Sequence, residues 1–384
     1  MATQPGLQFA IVDQAPQLES LLSAMESADR VAVDTEADSM HHYYAKVCLI
    51  QLAIGEDYYI LDPLAGLNLD EFMEVLSQKR LILHGADYDL RMMRSSFGFR
   101  PRNEVFDTML AAQLLGYTKF GLTSLVQQLF NVTLTDFGKK TDWSRRPLGA
   151  KELDYACNDT RFLQPMADVF TAKLEELGRL EWHRESCAEL VKATETDRVK
   201  DDDDEWRIKG KRLLDRQQLA FLRGIWLWRE KEAQKVDLPP FKILINQKMI
   251  ELAIWASNNP KKPLTQGPNL PRNCHGRRLE ALKRAIKKAA NLPKSEWPYH
   301  KKAKPFRQTD PHITQRIEAM VKECGRVARK LEIEQPVIAS RATIKAVAHQ
   351  KPASVEEMVE QTPLMQWQAE LLFPGFRKIM EKFP

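Results

Sequence analysis

Several features of membrane and secreted proteins are missing from this 384-residue chain. No apolar run approaches the roughly 18 residues that a transmembrane helix needs. The N-terminus, MATQPGLQFAIVD, lacks the basic start and the apolar core of a signal peptide. The five cysteines are odd in number and widely spaced, and none forms a Cys-x-x-Cys pair, which argues against a disulfide framework and a zinc knuckle. We therefore expect a cytoplasmic protein with reduced thiols and no membrane partner.

The length and the charge distribution indicate more than one domain. A chain of 384 residues exceeds the usual limit of a single core, so two or three domains are expected. Residues 1–205 hold 21 Lys and Arg against 35 Asp and Glu, whereas residues 206–384 hold 36 against 17. A basic surface attracts polyanions by counterion release and steering, so the second half is predicted to bind nucleic acid. A merely solvated basic surface is the alternative.

Two acids end the first strongly apolar segment. The segment VAVDTE, residues 31–36, is typical of a buried central strand. Side chains at i and i+2 of a strand point to the same face, so Asp34 and Glu36 lie side by side, with Cα atoms roughly 7 Å apart. Because two buried acids repel each other, this arrangement favours a cation between them.

A second pair of acids follows the apolar run LILHGADYDL, residues 81–90. Gly85 breaks this run, and apolar residues at helical spacing come next, which predicts a strand, a turn and a helix. The first turns of that helix carry Asp87 and Asp89.

A third motif lies within a stretch that is typical of a helix. Tyr155 and Asp159 of YACND are four residues apart and therefore neighbours on one helix face. The same spacings recur at Tyr58 and Asp62 and at Asp203 and Glu205. Tyr58 and Asp62 lie in a predicted strand, which holds the two side chains apart. Asp203 and Glu205 lie in a solvated acidic run. The order and context of the three motifs therefore carry the argument.

With these motifs in order, the chain resembles the ribonuclease D family, which belongs to the tyrosine-containing branch of the DEDD 3′–5′ exonucleases. The strings VCLIQLA, VFDTMLAAQLLG and TDWSRRPL also resemble that family. Two departures are Gly85, where many relatives have Asn, and Ala37, where a large residue is common. These departures concern the contacts to the terminal nucleotide and leave the acids intact.

The resemblance implies a site and a chemistry. The implied metal ligands are Asp34, Glu36, Asp89 and Asp159, with Tyr155 orienting the attacking water; Asp89 is chosen over Asp87 because it follows Tyr88. The implied cofactors are two divalent cations, Mg²⁺ or Mn²⁺. Such hard cations prefer carboxylate oxygen, and two of them about 3.5 to 4 Å apart stabilise charge on a phosphodiester under attack.

The fold class that we expect is α/β for the first domain, followed by all-α domains. Three short segments, VAVDTE, VCLIQLAI and DYYILD, are closely spaced, which indicates antiparallel neighbours in a mixed sheet. This agrees with the ribonuclease-H-like fold that the resemblance implies. We predict an exonuclease domain over 1–200, ending near the charged run DRVKDDDDEW at 197–206.

The basic half is predicted to be helical. Residues 210–292 resemble an HRDC domain, a small helical bundle, and include the cationic helix RRLEALKRAIKKA at 277–289. Residues 300–384 resemble a second, diverged HRDC-like domain. Trp226, Trp228 and Trp255 either stack on bases or, as is commoner, pack in a helical core.

We predict a metal-dependent 3′–5′ exoribonuclease that releases mononucleotides from RNA. By resemblance alone, its substrates are single-stranded 3′ ends of tRNA precursors. We also expect the enzyme to be a monomer. The alternatives are a DNA exonuclease of the same branch and a non-catalytic scaffold that binds nucleic acid.

Two surface segments have open interpretations. His41 and His42, beside two tyrosines, either contact substrate or form a loop between strands. Arg145 and Arg146 either bind phosphate or brace the acids that precede them.

Overall fold

The computed structural model of the chain describes residues 8–134, 141–196, 206, 208–300 and 312–384. The described residues form two compact units. The first contains the residues up to Ala37, Lys46–Thr196 and the C-terminal segment, and the second contains Asp38–Ala45 and the segment from 206 to 300. Residues 197–205 of the predicted connection at 197–206, with Asp203 and Glu205, lie outside the described residues. The three domain ranges given above remain predictions.

A six-stranded mixed sheet forms the centre of the first unit. Its order is β1-β4-β3-β2-β5-β6, with β2 antiparallel to β3 and parallel to β5. The expected mixed sheet with consecutive antiparallel strands is therefore confirmed. The strands are β1 (Ala10–Val12), β2 (Arg30–Ala37), β3 (Val47–Ile54), β4 (Asp57–Leu61), β5 (Arg80–Leu83) and β6 (Val105–Asp107).

The apolar start of β2 explains its interior position. Val31, Ala32 and Val33 are completely buried between β3 and β5, and the acids follow at the carboxyl end of the strand. Because β2 and β5 are parallel, the turn that follows β5 leaves the sheet at the same edge. The sheet thus brings the first two sequence motifs to one edge.

Among the described residues up to Glu195, eight helices flank the sheet. Helix α6 packs against β2, β3 and β4, and α3 packs against β2 and β3, so each places its functional residues beside the acids of β2. The helices are α1 (Ala15–Glu26), α2 (Asp70–Ser77), α3 (Asp87–Phe97), α4 (Thr108–Leu114), α5 (Leu122–Phe130), α6 (Ala150–Arg161), α7 (Leu163–Glu176) and α8 (Leu180–Glu195).

The C-terminal helices share a hydrophobic core with α4, α5 and α7. The guanidinium of Arg179 donates to the carbonyl oxygens of Leu114 at 2.6 Å and Leu331 at 2.7 Å. Gly116 has a φ of +85°, and a Cβ there would lie 2.2 Å from the backbone oxygen of Glu332, so a side chain is excluded. The segment from 312 onwards therefore belongs to the first compact unit.

The second unit and the C-terminal segment are helical within their described residues, as expected. In the second unit Trp228 is buried in the core, and Trp226 and Trp255 pack against it, which favours core packing over base stacking. The helices are α9 (Arg216–Val236), α10 (Pro240–Ile243), α11 (Asn246–Asn258) and α12 (Gly276–Ala290), then α13 (Ile313–Leu331), α14 (Gln335–Ile338), α15 (Arg341–Gln350), α16 (Val355–Gln361) and α17 (Gln366–Lys382). Single 3₁₀ turns occupy Pro63–Ala65, Lys211–Leu213, Leu264–Gln266 and Lys294–Glu296.

The segment Asp38–Ala45 is held by the end of α9. The Asp237 carboxylate contacts His42 Nδ1 at 2.7 Å and accepts the backbone N–H groups of Tyr43 at 3.0 Å and Tyr44 at 3.1 Å. Of the two interpretations of His41 and His42, the structure favours the loop between strands.

The five cysteines are all buried and form no disulfide, as the sequence predicts. Among the described helices, none has both the length and the apolar character that crossing a bilayer requires.

Candidate active site

One cleft in the first unit, about 520 Å³ in volume, collects the predicted site residues. One carboxylate oxygen each from Asp34, Glu36 and Asp159 lies within 4.8 Å of the others. Asp89 and Tyr155 line the same cleft. Residues that are 125 positions apart in the sequence therefore converge on one spot.

Local structure explains this convergence. Asp34 and Glu36 alternate with buried residues along β2, and the strand irregularity at Glu36 and Ala37 ends the regular pairing with β3. Tyr155 and Asp159 are one turn apart on α6, as their spacing predicts.

Asp89 is fixed by the strand that carries the other acids. Its Oδ1 accepts the Thr35 hydroxyl at 2.6 Å and the Thr35 backbone N–H at 3.2 Å. Asp87 does not line the cleft; it is exposed and pairs with Arg91 at 3.0 Å. Of the two acids in this motif, the structure places Asp89 with the others.

The turn before α3 depends on a buried acid at the end of β6. The Asp107 carboxylate accepts the backbone N–H groups of Gly85 at 3.0 Å and Ala86 at 2.9 Å. Gly85 has a φ of +76°, and a Cβ there would lie 3.1 Å from Met109 Cε. Glycine suits this turn because it adopts a positive φ without strain.

The acids in the cleft destabilise one another when charged. Removal from water raises the pKa of Glu36 to about 9, of Asp159 to about 7 and of Asp89 to about 6. Desolvation, followed by the charges of the other three acids, also raises the pKa of Asp34 well above its usual value. The charged groups that raise these values are carboxylates, so added positive charge would relieve the repulsion.

Tyr155 is held by its ring and by its hydroxyl. Its ring stacks on the buried Trp143 with centroids 6.1 Å apart, and its hydroxyl donates to the Asp159 carboxylate. Desolvation and the neighbouring carboxylates raise the pKa of Tyr155, so the phenol stays neutral. The neutral, fixed hydroxyl of Tyr155 can therefore orient a bound molecule by hydrogen bonding.

The two arginines beside Trp143 differ. Arg146 binds the Asp62 carboxylate and donates to the backbone oxygens of Trp143 at 2.7 Å and Cys48 at 2.9 Å. Arg146 thus braces the loop, although its acid partner is Asp62 rather than a preceding residue of the loop. Arg145 is largely exposed, 3.6 Å from Glu152.

The donor set fits divalent cations. Four carboxylates supply the hard oxygen ligands that Mg²⁺ and Mn²⁺ prefer. Gln51, directly opposite Asp34 in the antiparallel register, is completely buried, and neither polar atom of its amide has a partner among the described residues. Opposed residues of antiparallel strands share a face, so an ion with its bound waters at Asp34 would offer this amide partners.

This arrangement predicts that Gln51→Leu changes the stability of the protein differently in the absence and in the presence of metal. In EDTA, the change removes an unsatisfied buried amide, so we expect the free energy of unfolding to stay level or rise by up to about 2 kcal/mol. The additional stabilisation by Mg²⁺ or Mn²⁺ should shrink. Thermal unfolding with EDTA and with each metal measures both effects.

Gln164→Leu is the matched control. The Gln164 amide is also buried, but it donates to the Ala53 carbonyl at 2.7 Å. This variant should be destabilised in EDTA and in metal alike. An equal loss for Gln51→Leu in both conditions would contradict the role given to its amide.

Sequence reasoning assigned no role to four residues of this site: Thr35, Gln51, His84 and Asp107. Two of them carry a signal in the sequence: Gln51 is a single polar residue within an apolar strand, and Asp107 ends a strand directly before a helix. Which partners these residues meet depends on contacts that are distant in the sequence.

Comparisons with known proteins agree with this geometry. A family model described as 3′–5′ exonuclease matches residues 9–175. Ribonuclease D of Granulibacter bethesdensis is 29% identical over 75% of this chain and 73% of its own length. Ribonuclease D of Xanthomonas oryzae is 28% identical over 87% of this chain and 90% of its own length.

The fold also matches a solved structure along nearly the whole chain. The crystal structure of Escherichia coli RNase D aligns with a TM-score of 0.71 at 23% identity, covering 98% of this chain and 100% of that chain. This likeness confirms the expected ribonuclease-H-like fold with a helical C-terminal region. The exonuclease match over residues 9–175 and the curated relatives identify the chain as a 3′–5′ exonuclease related to the ribonuclease D family.

Proposed function

We propose that this protein is a metal-dependent exoribonuclease that removes mononucleotides one at a time from the 3′ ends of RNA. The proposed substrates are single-stranded ends of structured precursors such as tRNA, and the enzyme acts as a cytoplasmic monomer. Asp34, Glu36, Asp89 and Asp159 are its proposed metal ligands.

The convergence of four carboxylates on one cleft carries this proposal. Acids that raise one another's pKa at the bottom of a cleft are costly for the fold, and a cation site explains why the fold tolerates them. When bound there, two divalent cations would lower the pKa of the attacking water and stabilise charge on the phosphate and the leaving 3′ oxygen.

The protein's own residues position the reactants. Thr35 orients the Asp89 carboxylate, and the Asp159 carboxylate accepts a hydrogen bond from the Tyr155 hydroxyl. The oxygen of that hydroxyl keeps its lone pairs and can accept a hydrogen bond from the attacking water. We propose that Tyr155 orients the water, because its raised pKa keeps the phenol protonated and disfavours a role as base.

Tyr155→Phe should lower kcat by about 100-fold with little change in KM. The substitution retains the ring that stacks on Trp143 and removes only the hydroxyl. Steady-state hydrolysis of a short RNA measures both constants. Tyr58→Phe is the control, since Tyr58 is a partly buried tyrosine that does not line the cleft. An unchanged kcat in Tyr155→Phe would contradict the assignment.

The choice of RNA rests on relatives and on charge. Escherichia coli RNase D is an exoribonuclease involved in structured RNA processing. In the second unit, α12 exposes five cations: Arg277, Lys283, Arg284, Lys287 and Lys288. A cationic helix of this kind supports binding of a polyanion.

A degradation assay separates the alternatives. Matched RNA and DNA strands of one sequence, labelled at the 3′ end, are incubated with Mg²⁺ or with EDTA, and a circular RNA without a 3′ end is the control. Release of labelled mononucleotide from RNA in Mg²⁺ alone supports the proposal. Preferential cleavage of DNA supports the DNA exonuclease, and binding without cleavage supports the scaffold.

A further inference from the structure

His84 is a polar residue of the catalytic cleft that the proposed metal chemistry does not use. It follows directly after β5 and lines the cleft with Asp34, Glu36 and Asp89. It is half-buried, and its Nδ1 lies 2.9 Å from the hydroxyl oxygen of Thr108.

The hydrogen bonds of Thr108 define which ring nitrogen of His84 carries the proton. The Thr108 hydroxyl has a single proton, and it donates that proton to the carbonyl oxygen of Leu83 at 3.0 Å. Thr108 can therefore only accept from His84, so Nδ1 of His84 carries a proton and donates it. Burial lowers the pKa of His84, which keeps the ring neutral. The second nitrogen, Nε2, is then left with a free lone pair.

Among the described residues, the hydrogen bond recorded for the His84 ring is the one at Nδ1. Nε2 is not one of the buried polar atoms that lack a partner, so it can accept from water or from a molecule in the cleft. His84 is not one of the residues that offer atoms to the carboxylate cluster of Asp34, Glu36 and Asp159. Its ring does, however, border the space in which the proposed substrate would bind. A substrate hydroxyl in the cleft can therefore replace water as the donor to Nε2.

A nucleotide at the 3′ end offers few donors of this kind. Phosphate oxygens and the ring oxygen of the sugar only accept, and the amino groups differ from base to base. The sugar hydroxyls are donors that all four nucleotides share, and the 2′-hydroxyl exists only in RNA. An enzyme that shortens RNA of any sequence can use such a hydroxyl at every step.

We propose that Nε2 of His84 accepts a hydrogen bond from a ribose hydroxyl of the 3′-terminal nucleotide. The inference rests on the proposed function, because it places the terminal nucleotide in this cleft. The hydrogen bond contributes to nucleotide affinity, and it distinguishes a ribose end from a sugar that lacks the hydroxyl.

Equilibrium binding of mononucleotides tests this proposal without hydrolysis. AMP, 2′-deoxy-AMP, 3′-deoxy-AMP and 2′,3′-dideoxy-AMP are titrated in Mg²⁺ against the wild-type protein, His84→Ala and His84→Gln. His84→Ala should weaken AMP binding about threefold to tenfold, as expected for one neutral hydrogen bond, and should leave dideoxy-AMP unaffected. The monodeoxy nucleotide that behaves like dideoxy-AMP identifies the hydroxyl.

The Gln variant guards against a structural explanation. Its side-chain oxygen can accept a hydrogen bond near the position of Nε2, so it should restore part of the preference for AMP. Equal weakening of AMP and dideoxy-AMP by His84→Ala would overturn the proposal, as would a wild-type protein that does not distinguish the two. If hydrolysis fails in the degradation assay while this preference is present, only the catalytic proposal fails.

Discussion

Asp34→Asn is expected to lower kcat about a thousandfold or more, while the protein without metal folds at least as stably as the wild type. A thousandfold loss corresponds to roughly 4 kcal/mol of transition-state stabilisation, which is within the range that bound metal ions provide. Asparagine retains the shape of the side chain but removes the charge that ion binding requires.

The expected gain in stability has an electrostatic origin. Asp34 lies among three other acids whose charges raise its pKa, so its own charge is costly in the folded protein. Neutralising it relieves repulsion and desolvation at once. The same substitution should remove most of the stabilisation by Mg²⁺, because a ligand stabilises a fold only through binding to it. Thermal unfolding in EDTA and in Mg²⁺ measures both quantities.

Asp89→Asn and Asp87→Asn form a matched pair for the same test. Both acids lie in the first turn of α3, but Asp89 lines the cleft and Asp87 is exposed beside Arg91. Asp89→Asn should behave like Asp34→Asn, whereas Asp87→Asn should leave kcat unchanged. Full activity in Asp34→Asn, or equal losses in the paired variants, would contradict the metal-ligand assignment.

The strands and the acids could be predicted from sequence because their signals are local. The alternation of Asp34 and Glu36 with buried neighbours, and the one-turn spacing of Tyr155 and Asp159, depend only on the geometry of a strand and a helix. The short connections between β2, β3 and β4 required antiparallel pairing. Local geometry was therefore sufficient for the antiparallel strands and for these two pairs of residues, whereas the full ligand set, including Asp89, was implied by the family resemblance.

The supporting contacts could not be predicted because they join distant segments. Gln51 faces Asp34 only through the register of β2 and β3, and Thr35 meets Asp89 across 54 positions. Likewise, the core that α13 shares with α4, α5 and α7 is not defined by the pattern of any one of these segments. Periodicity identifies which face of an element is buried, but it does not identify the element that covers that face.

Asp107 provides the strongest test of these distant contacts, because a carboxylate with no exposed surface organises the turn that leads to Asp89. Besides the N–H groups of Gly85 and Ala86, it accepts those of Met109 at 2.8 Å and Leu110 at 3.3 Å. Asn at this position would direct an NH₂ group at backbone donors. We expect Asp107→Asn to lower the free energy of unfolding by about 3 kcal/mol, since buried donors lose their acceptor.

The same substitution should also lower activity in the molecules that remain folded. The turn fixed by Asp107 carries His84 and begins α3, so its displacement moves Asp89 relative to Asp34. Loss of such a supporting contact typically reduces metal affinity or activity about 10-fold to 100-fold. Urea unfolding in EDTA measures the stability. The displacement is measured by kcat and by the Mg²⁺ dependence of the rate, both at a temperature at which the variant is folded.

Asp168→Asn is the control, because Asp168 forms a largely exposed ion pair with Arg30. This substitution should change the free energy of unfolding by no more than about 1 kcal/mol. If Asp107→Asn were as stable and as active as this control, the turn would not depend on the buried carboxylate, and the position of Asp89 would have to be attributed to Thr35 alone.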